Sequence, residues 1–214
     1  IKASSGRMDH LVRDALNYAR VLRRDFPLRP VPLLPLLQGL LESYPELWPH
    51  QSEIQLAPDL PVVLGNEAML TECFSNLLRN AIKFVAPGVS PRARVRAERL
   101  PCAQARAGLE PGAARGKPGA PAGATPPTSW VRVWVEDNGI GIPKEDQEAI
   151  FSMFRQLHPA ELYPGTGIGL AIVRKGIQRI GGHVGVESEQ GQGSRFWVEL
   201  REVKGPPPAA RGEG

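Results

Sequence analysis

Three alternate glycines, Gly165-Thr-Gly-Ile-Gly169, run straight into Leu170-Ala-Ile-Val173, and this junction restricts the fold more than any other stretch. A helix opened by glycines presents free N–H groups and the positive end of its dipole, an arrangement suited to phosphate. Two common phosphate folds are excluded. A dinucleotide-binding unit needs a strand before the glycines, and residues 156–164, with His158, Pro159 and Pro164, do not read as one. A phosphate loop needs Gly-Lys-Ser/Thr, which does not follow. What fits is a glycine lid over a triphosphate, with the rest of the pocket supplied from elsewhere in the chain.

Two upstream constellations qualify. Asn76, Asn80 and Lys83 fall at i, i+4 and i+7 of a helical pattern and share one face. Amide oxygens suit Mg²⁺ and a lysine suits phosphate, although a solvent-facing polar stripe has the same pattern. Asp137-Asn-Gly139-Ile-Gly141 directly follows a strand pattern. Its glycines let backbone approach a ligand, and a half-buried Asp can accept from an exocyclic amine. The same residues also make an ordinary tight turn.

Periodicity places these motifs. Residues 7–24 read as a helix with one apolar stripe (Met8, Leu11, Val12, Ala15, Leu16, Ala19, Leu22), which needs a partner in water. Helices are expected over 33–44, from an N-cap at Asn66 to about Phe84, briefly over 144–151, and over 168–180, ended by Gly181-Gly182. Strands are expected over 53–57, 62–64, 94–100, 130–136, 183–188 and 194–200. The two middle strands are separated by 101–129, a Pro/Gly/Ala-rich run too long for a compact core and read as a disordered hairpin insertion. Residues 204–214 read as a disordered tail. Segregated helices and antiparallel strands imply an α+β fold, one mixed, mostly antiparallel sheet with helices on one face.

Composition narrows the function. The net charge is +4, but the arginines are scattered without interleaved aromatics, so no nucleic-acid partner is expected. Cys73 and Cys102 have no ligand spacing, which makes a reducing cytoplasm the default. His50, His158 and His183 show none either. The longest apolar run, 31–41, is broken by Pro32, Pro35 and Gln38 and is too short to span a bilayer. The opening at Ile1 without Met suggests a piece of something longer.

Taken in order, the motifs resemble the ATP-binding domain of histidine protein kinases, a branch of the superfamily (GHKL, with the Bergerat ATP-binding fold) that includes gyrase and MutL. The resemblance covers about 31–203: an N box at Asn76–Lys83, a G1 box at Asp137–Gly141, an F box at Phe151 and Phe154, a G2 box at Gly165–Gly169, and a last box at Gly191-Gln-Gly-Ser194. It implies ATP and Mg²⁺, with Asn80 holding the metal and Asn76 and Lys83 meeting phosphates. Asp137 would receive the adenine amine in a pocket shaped by Gly139 and Gly141. Gly165, Thr166, Gly167, Gly169 and Leu170 would wrap the β and γ phosphates, Ser194 would complete the cofactor site, and Phe151 and Phe154 would hinge the lid. Residues 156–164 are similar to kinases carrying phytochrome-like or PAS sensors.

Two departures matter. Superfamily members that hydrolyse ATP carry Glu four residues before the metal-binding Asn; here Asn76 stands there, and an amide takes no proton at neutral pH. Glu72 lies a turn further back with poor reach. Residues 7–20 resemble the second helix of a dimerisation and phosphotransfer hairpin, and His10 lacks the flanking residues of an acceptor. The expected reaction is phosphoryl transfer to a His upstream of Ile1, in a cytoplasmic domain that serves a response regulator and dimerises through the hairpin helix in a full-length protein open to membrane anchoring upstream. The alternatives are a gyrase- or MutL-type ATPase and a non-catalytic docking module.

Overall fold

The computed structural model describes Val12, Leu16 and residues 27–43, 52–100, 129–159 and 162–203. The expected hairpin helix (beyond those two residues), most of the 101–129 insertion, the 204–214 tail, His10, His50 and Cys102 lie outside the described residues.

Seven strands form one sheet, with β1 at Arg29–Pro32, β2 at Glu53–Leu56, β3 at Val62–Gly65, β4 at Arg92–Leu100, β5 at Ser129–Asp137, β6 at His183–Ser188 and β7 at Ser194–Glu202. The order is β1-β3-β7-β5-β4-β2, with β6 also paired to β7. Every pairing is antiparallel except β2 on β4, so the sheet is mixed as expected. Helices α1 (Leu33–Ser43), α2 (Glu67–Lys83) and α3 (Gly169–Arg179) accompany it. Strand β1 is absent from the expectations because Pro30 and Pro32 argue against a strand. It survives at the sheet edge, where prolines leave no ladder donor missing. Ser129 begins β5 rather than ending the insertion. The expected helix over 144–151 is two 3₁₀ turns, Lys144–Asp146 and Ala149–Phe151.

Helix α2 is the spine. Asn66, in extended conformation, caps it by accepting from the Met69 N–H at 3.1 Å. Its inner face buries Met69, Leu70, Cys73, Phe74, Leu77, Leu78, Ala81 and Ile82. Each larger side chain contributes about 1.5–3 kcal/mol of transfer free energy. They meet Val95, Val131, Val133, Val135, Phe196, Val198 and Leu200 of the core. Helix α3 packs close because Gly176 has no Cβ; one there would lie 2.9 Å from Cys73 Sγ and closer still to Met69 Sδ.

Among the described residues, arginine and tryptophan side chains rather than a helix cover the opposite sheet face. Arg96, Arg132 and Arg195 stack on Trp134 at 5.2, 5.4 and 4.6 Å, and Arg132 also covers Trp197. Glu136 and Glu199 pair with these guanidinium groups. Trp134 is thereby buried to 3% exposure on the solvent side. Three of the arginines that read as a scattered basic surface, Arg96, Arg132 and Arg195, thus form an ordered layer with Glu136 and Glu199. No helix among the described residues is long and apolar enough to cross a membrane.

Candidate nucleotide site

The site forms where the end of β5, the last turn of α2 and the start of α3 converge. Asp137 ends β5 and is held from two sides: the Gly139 and Ser194 N–H groups both donate to its Oδ1, at 2.8 and 3.0 Å. Oδ2 remains available. Burial pushes the carboxyl up from 3.8 to about 6, against the lowering effect of those two donors. It is still ionised at neutral pH.

Glycines permit this closeness. At Gly139 a Cβ would strike the Phe84 carbonyl and stand 2.7 Å from Asp137 Oδ1. Gly141, at φ 72°, lies on the Glu189 backbone, and Gly193, at φ 82°, lies on the Asp137 carbonyl. Hydrogen bonds interlock the three segments: Ile140 N–H to the Phe84 carbonyl at 2.9 Å and Gly191 N–H to the Ile140 carbonyl at 2.8 Å. The last box thus serves Asp137 through backbone, and the Ser194 hydroxyl itself faces Ser188 Oγ at 3.0 Å.

The expected N-box residues do share a face of α2. Asn76 donates from Nδ2 to the Glu72 carbonyl at 2.9 Å and to Glu72 Oε1 at 3.2 Å. Its Oδ1 turns toward α3, where a Cβ on Gly169 would come within 2.6 Å. Half-buried Asn80 has no side-chain hydrogen bond among the described residues. Burial lowers the Lys83 ammonium from its ordinary value, and its Nζ rests 4.2 Å from the centre of the Phe84 ring. A Cβ on Gly165 would lie 2.7 Å from that Nζ. The lid glycines therefore meet Asn76 and Lys83, as their spacing in the chain could not reveal. Gly167, at φ 73°, abuts the Phe154 and Arg155 backbone, and Thr166 Oγ1 accepts from the Ile168 N–H at 3.4 Å. Leu170, partly buried, packs against the core.

The two F-box phenylalanines separate. Phe151 is buried edge-on against Phe196 at 6.4 Å, whereas Phe154 is 61% exposed with φ 62°. Sequence reasoning missed several contributors. Asn138 bridges to the Arg92 N–H and the Ser90 carbonyl, and Ser188 accepts from the Ile142 N–H. Tyr163 and His158 pack on Phe84. Only Asn138, inside a turn motif, carried a local signal. No group of three or more metal-ligating acids, histidines or cysteines occurs among the described residues. A surface hollow on the β2–β4 side, lined by Glu53, Gln55, Arg92, Arg94 and Glu136, extends to Asp137 and Asn138 but includes no lid or N-box residue.

The chain is similar to known proteins in sequence and fold. Residues 65–204 match the family described as histidine kinase-, DNA gyrase B-, and HSP90-like ATPase. Cyanobacterial phytochrome B of Nostoc sp. is 32% identical over 199 residues, which cover 92% of this chain and 23% of that protein. Sensor histidine kinase AruS of Pseudomonas aeruginosa is 41% identical over 138 residues, 64% of this chain and 11% of that one. The chain thus spans about a quarter or less of these curated relatives. Among solved structures, full-length ShkA in complex with AMPPNP superposes with a TM-score of 0.67 at 28% identity, over 95% of this chain and 38% of that one. The catalytic domain of histidine kinase ThkA, at 22% identity and a TM-score of 0.54, shares the fold. With the interlocked Asp137 loop, the polar face of α2 and the glycine junction all within the matched span, this chain belongs to the histidine kinase-, DNA gyrase B- and HSP90-like ATPase family.

Proposed function

We propose that this chain binds Mg-ATP and transfers the γ-phosphoryl group to a histidine of an adjoining helical hairpin, for relay to an aspartate of a response regulator. The observation that carries this reading is the disposition of Asp137, Lys83 and Gly165–Gly169 around the end of α2. Asp137 Oδ2 is free to accept from the adenine amine, since both backbone donors end on Oδ1. Lys83, destabilised as a cation by burial, gains most from a polyphosphate beside it. Gly165, Thr166, Gly167 and Gly169 offer backbone N–H groups to the β and γ phosphates, with Leu170 behind them and Ser194 anchoring the adenine side.

Asn80 fits Mg²⁺. Its half-buried amide is uncommitted, and one hard oxygen is what this ion takes from protein when phosphates and water complete its shell. Bound there, the ion supplies charge neutralisation for the transferring group. Asn76 cannot act as a base, and its amide donates to the carbonyl and to Oε1 of Glu72, which stands a turn further back. Nothing at this position activates water, which favours transfer over hydrolysis. The AMPPNP held by ShkA and the kinase names of the relatives point the same way. A homodimer through the N-terminal helix is supported by Val12 and Leu16, helical and more than half exposed.

The test has two parts. Calorimetric titration should show Mg-dependent ATP binding that Asp137→Ala and Asn80→Ala each weaken at least tenfold. Mixing the chain with a hairpin carrying an acceptor His and radiolabelled ATP should give an acid-labile phosphoprotein. Absence of Mg-dependent binding would favour a docking module; rapid phosphate release without transfer would favour an ATPase.

A further inference from the structure

The segment leading into the lid glycines is fastened to α2 by a group of side chains outside the five boxes. Tyr163 donates its hydroxyl proton to the Val85 carbonyl at 3.0 Å, across 78 residues of chain. Its ring lies 5.3 Å from Phe84 and 5.5 Å from His158, which is itself 6.3 Å from Phe84. Lys83 Nζ rests on the same Phe84 ring. Upstream, Gln156 donates from Nε2 to the Gly165 carbonyl at 2.8 Å.

We propose that Tyr163, with Phe84 and His158, forms an aromatic clasp that roots the glycine lid on the end of α2 and so holds Gly165 at the Lys83 ammonium. Tyr163 is a positioning residue in this scheme; the deepening rests on the nucleotide reading given above. Three observations favour this role over ordinary core packing. Phe84, His158 and Tyr163 are all only partly buried and lie outside the hydrophobic core. They flank a stretch, Ser152–Gln156, that is exposed throughout and contains the left-handed Phe154. And the ring that takes the clasp also carries the phosphate-binding lysine, so clasp and ligand site share one side chain. A lid free of this anchor samples more orientations, and the ordering cost then falls on triphosphate binding.

The expected signature is selective. Tyr163→Phe keeps the ring and loses the hydroxyl bond, weakening Mg-ATP binding about fivefold. Tyr163→Ala loses the ring contacts as well, for about twentyfold. Adenosine, which has no phosphates for the lid to grip, should bind both variants as it binds the parent. Without nucleotide, limited proteolysis between Ser152 and Pro164 should be faster in Tyr163→Ala, while the thermal unfolding midpoint stays near that of the parent. Parallel loss of adenosine and ATP affinity, or an unchanged ATP affinity, would overturn the clasp. If Tyr163→Ala does not fold, Tyr163→Phe decides by the same comparison. If the parent itself fails to bind Mg-ATP, the function proposed above falls; nucleotide-free proteolysis of Tyr163→Phe against the parent then judges the clasp, and equal cleavage rates refute it.

Discussion

Replacing Asp137 by Asn should make the protein more stable and its nucleotide binding weaker, with pH dependences that separate the two effects. The carboxyl is raised from 3.8 to about 6 mainly by burial. Each tenfold change in an acid constant is worth about 1.4 kcal/mol, so holding this group ionised at pH 7.5 costs the folded state about 3 kcal/mol. The side-chain oxygen of Asn can still accept from Gly139 and Ser194, so Asp137→Asn removes the charge while keeping both bonds. An upper bound on the gain is therefore about 3 kcal/mol, and about 1–2 kcal/mol is expected after losing the charge-assisted part of those bonds. Between 3.8 and 6 the folded parent binds more protons than the unfolded chain, so its stability rises as pH falls through 6. The advantage of the variant should accordingly shrink over that window. Binding behaves oppositely. The two N–H donors force the amide oxygen onto the Oδ1 position and the amide nitrogen toward the adenine amine, donor against donor. ATP affinity should drop at least tenfold in the variant, and in the parent it should decline as pH falls below 6. Urea unfolding of both proteins at pH 7.5 and 5, with calorimetric ATP titration, measures all four quantities. A variant no more stable at pH 7.5, or a gain that persists unchanged at pH 5, would refute the reasoning.

Glycine substitutions on the lid should divide according to what the new Cβ meets. Gly165→Ala meets only the flexible tip of Lys83, so unfolding midpoints should hardly move while ATP affinity falls as the ammonium is displaced. Gly141→Ala combines φ 72° with a collision against the Glu189 backbone, and should lower stability by about 2 kcal/mol or more, measured by urea unfolding. Chelating Mg²⁺ with EDTA should weaken ATP binding strongly in the parent and little in Asn80→Ala, because the metal then has no protein oxygen to lose. Cys73 is fully buried and its thiol is pushed well up by burial and by Glu72. In a Cys102→Ser background it should react with a thiol reagent only on unfolding, at the global unfolding rate.

Much was legible without coordinates because local physics decides it. The apolar spacing along 67–83 and the Asn66 cap define α2, and that helix necessarily places Asn76, Asn80 and Lys83 on one side. The glycines at 139, 141, 165, 167 and 169 announce backbone approaching something closely, and the alternation in β5 and β7 announces which face is core. Elements whose character depends on neighbours were not legible. Strand β1 exists only because β3 offers an edge to a segment whose prolines argue against it, and the 144–151 segment has too few residues for propensity to choose between one helix and two 3₁₀ turns.

The sequence alone determined the motif order, the fold class and the kind of ligand suited to those motifs, since spacing and residue type are local quantities. Tertiary structure decided which of those residues meet. Ser194 closes over Asp137 from 57 residues away, Tyr163 reaches Val85 across 78, and strands β4, β5 and β7 turn three scattered arginines into a ladder over Trp134. Such contacts arise from burial and hydrogen-bond satisfaction summed over the whole sheet, and that sum is available only once the chain has closed on itself.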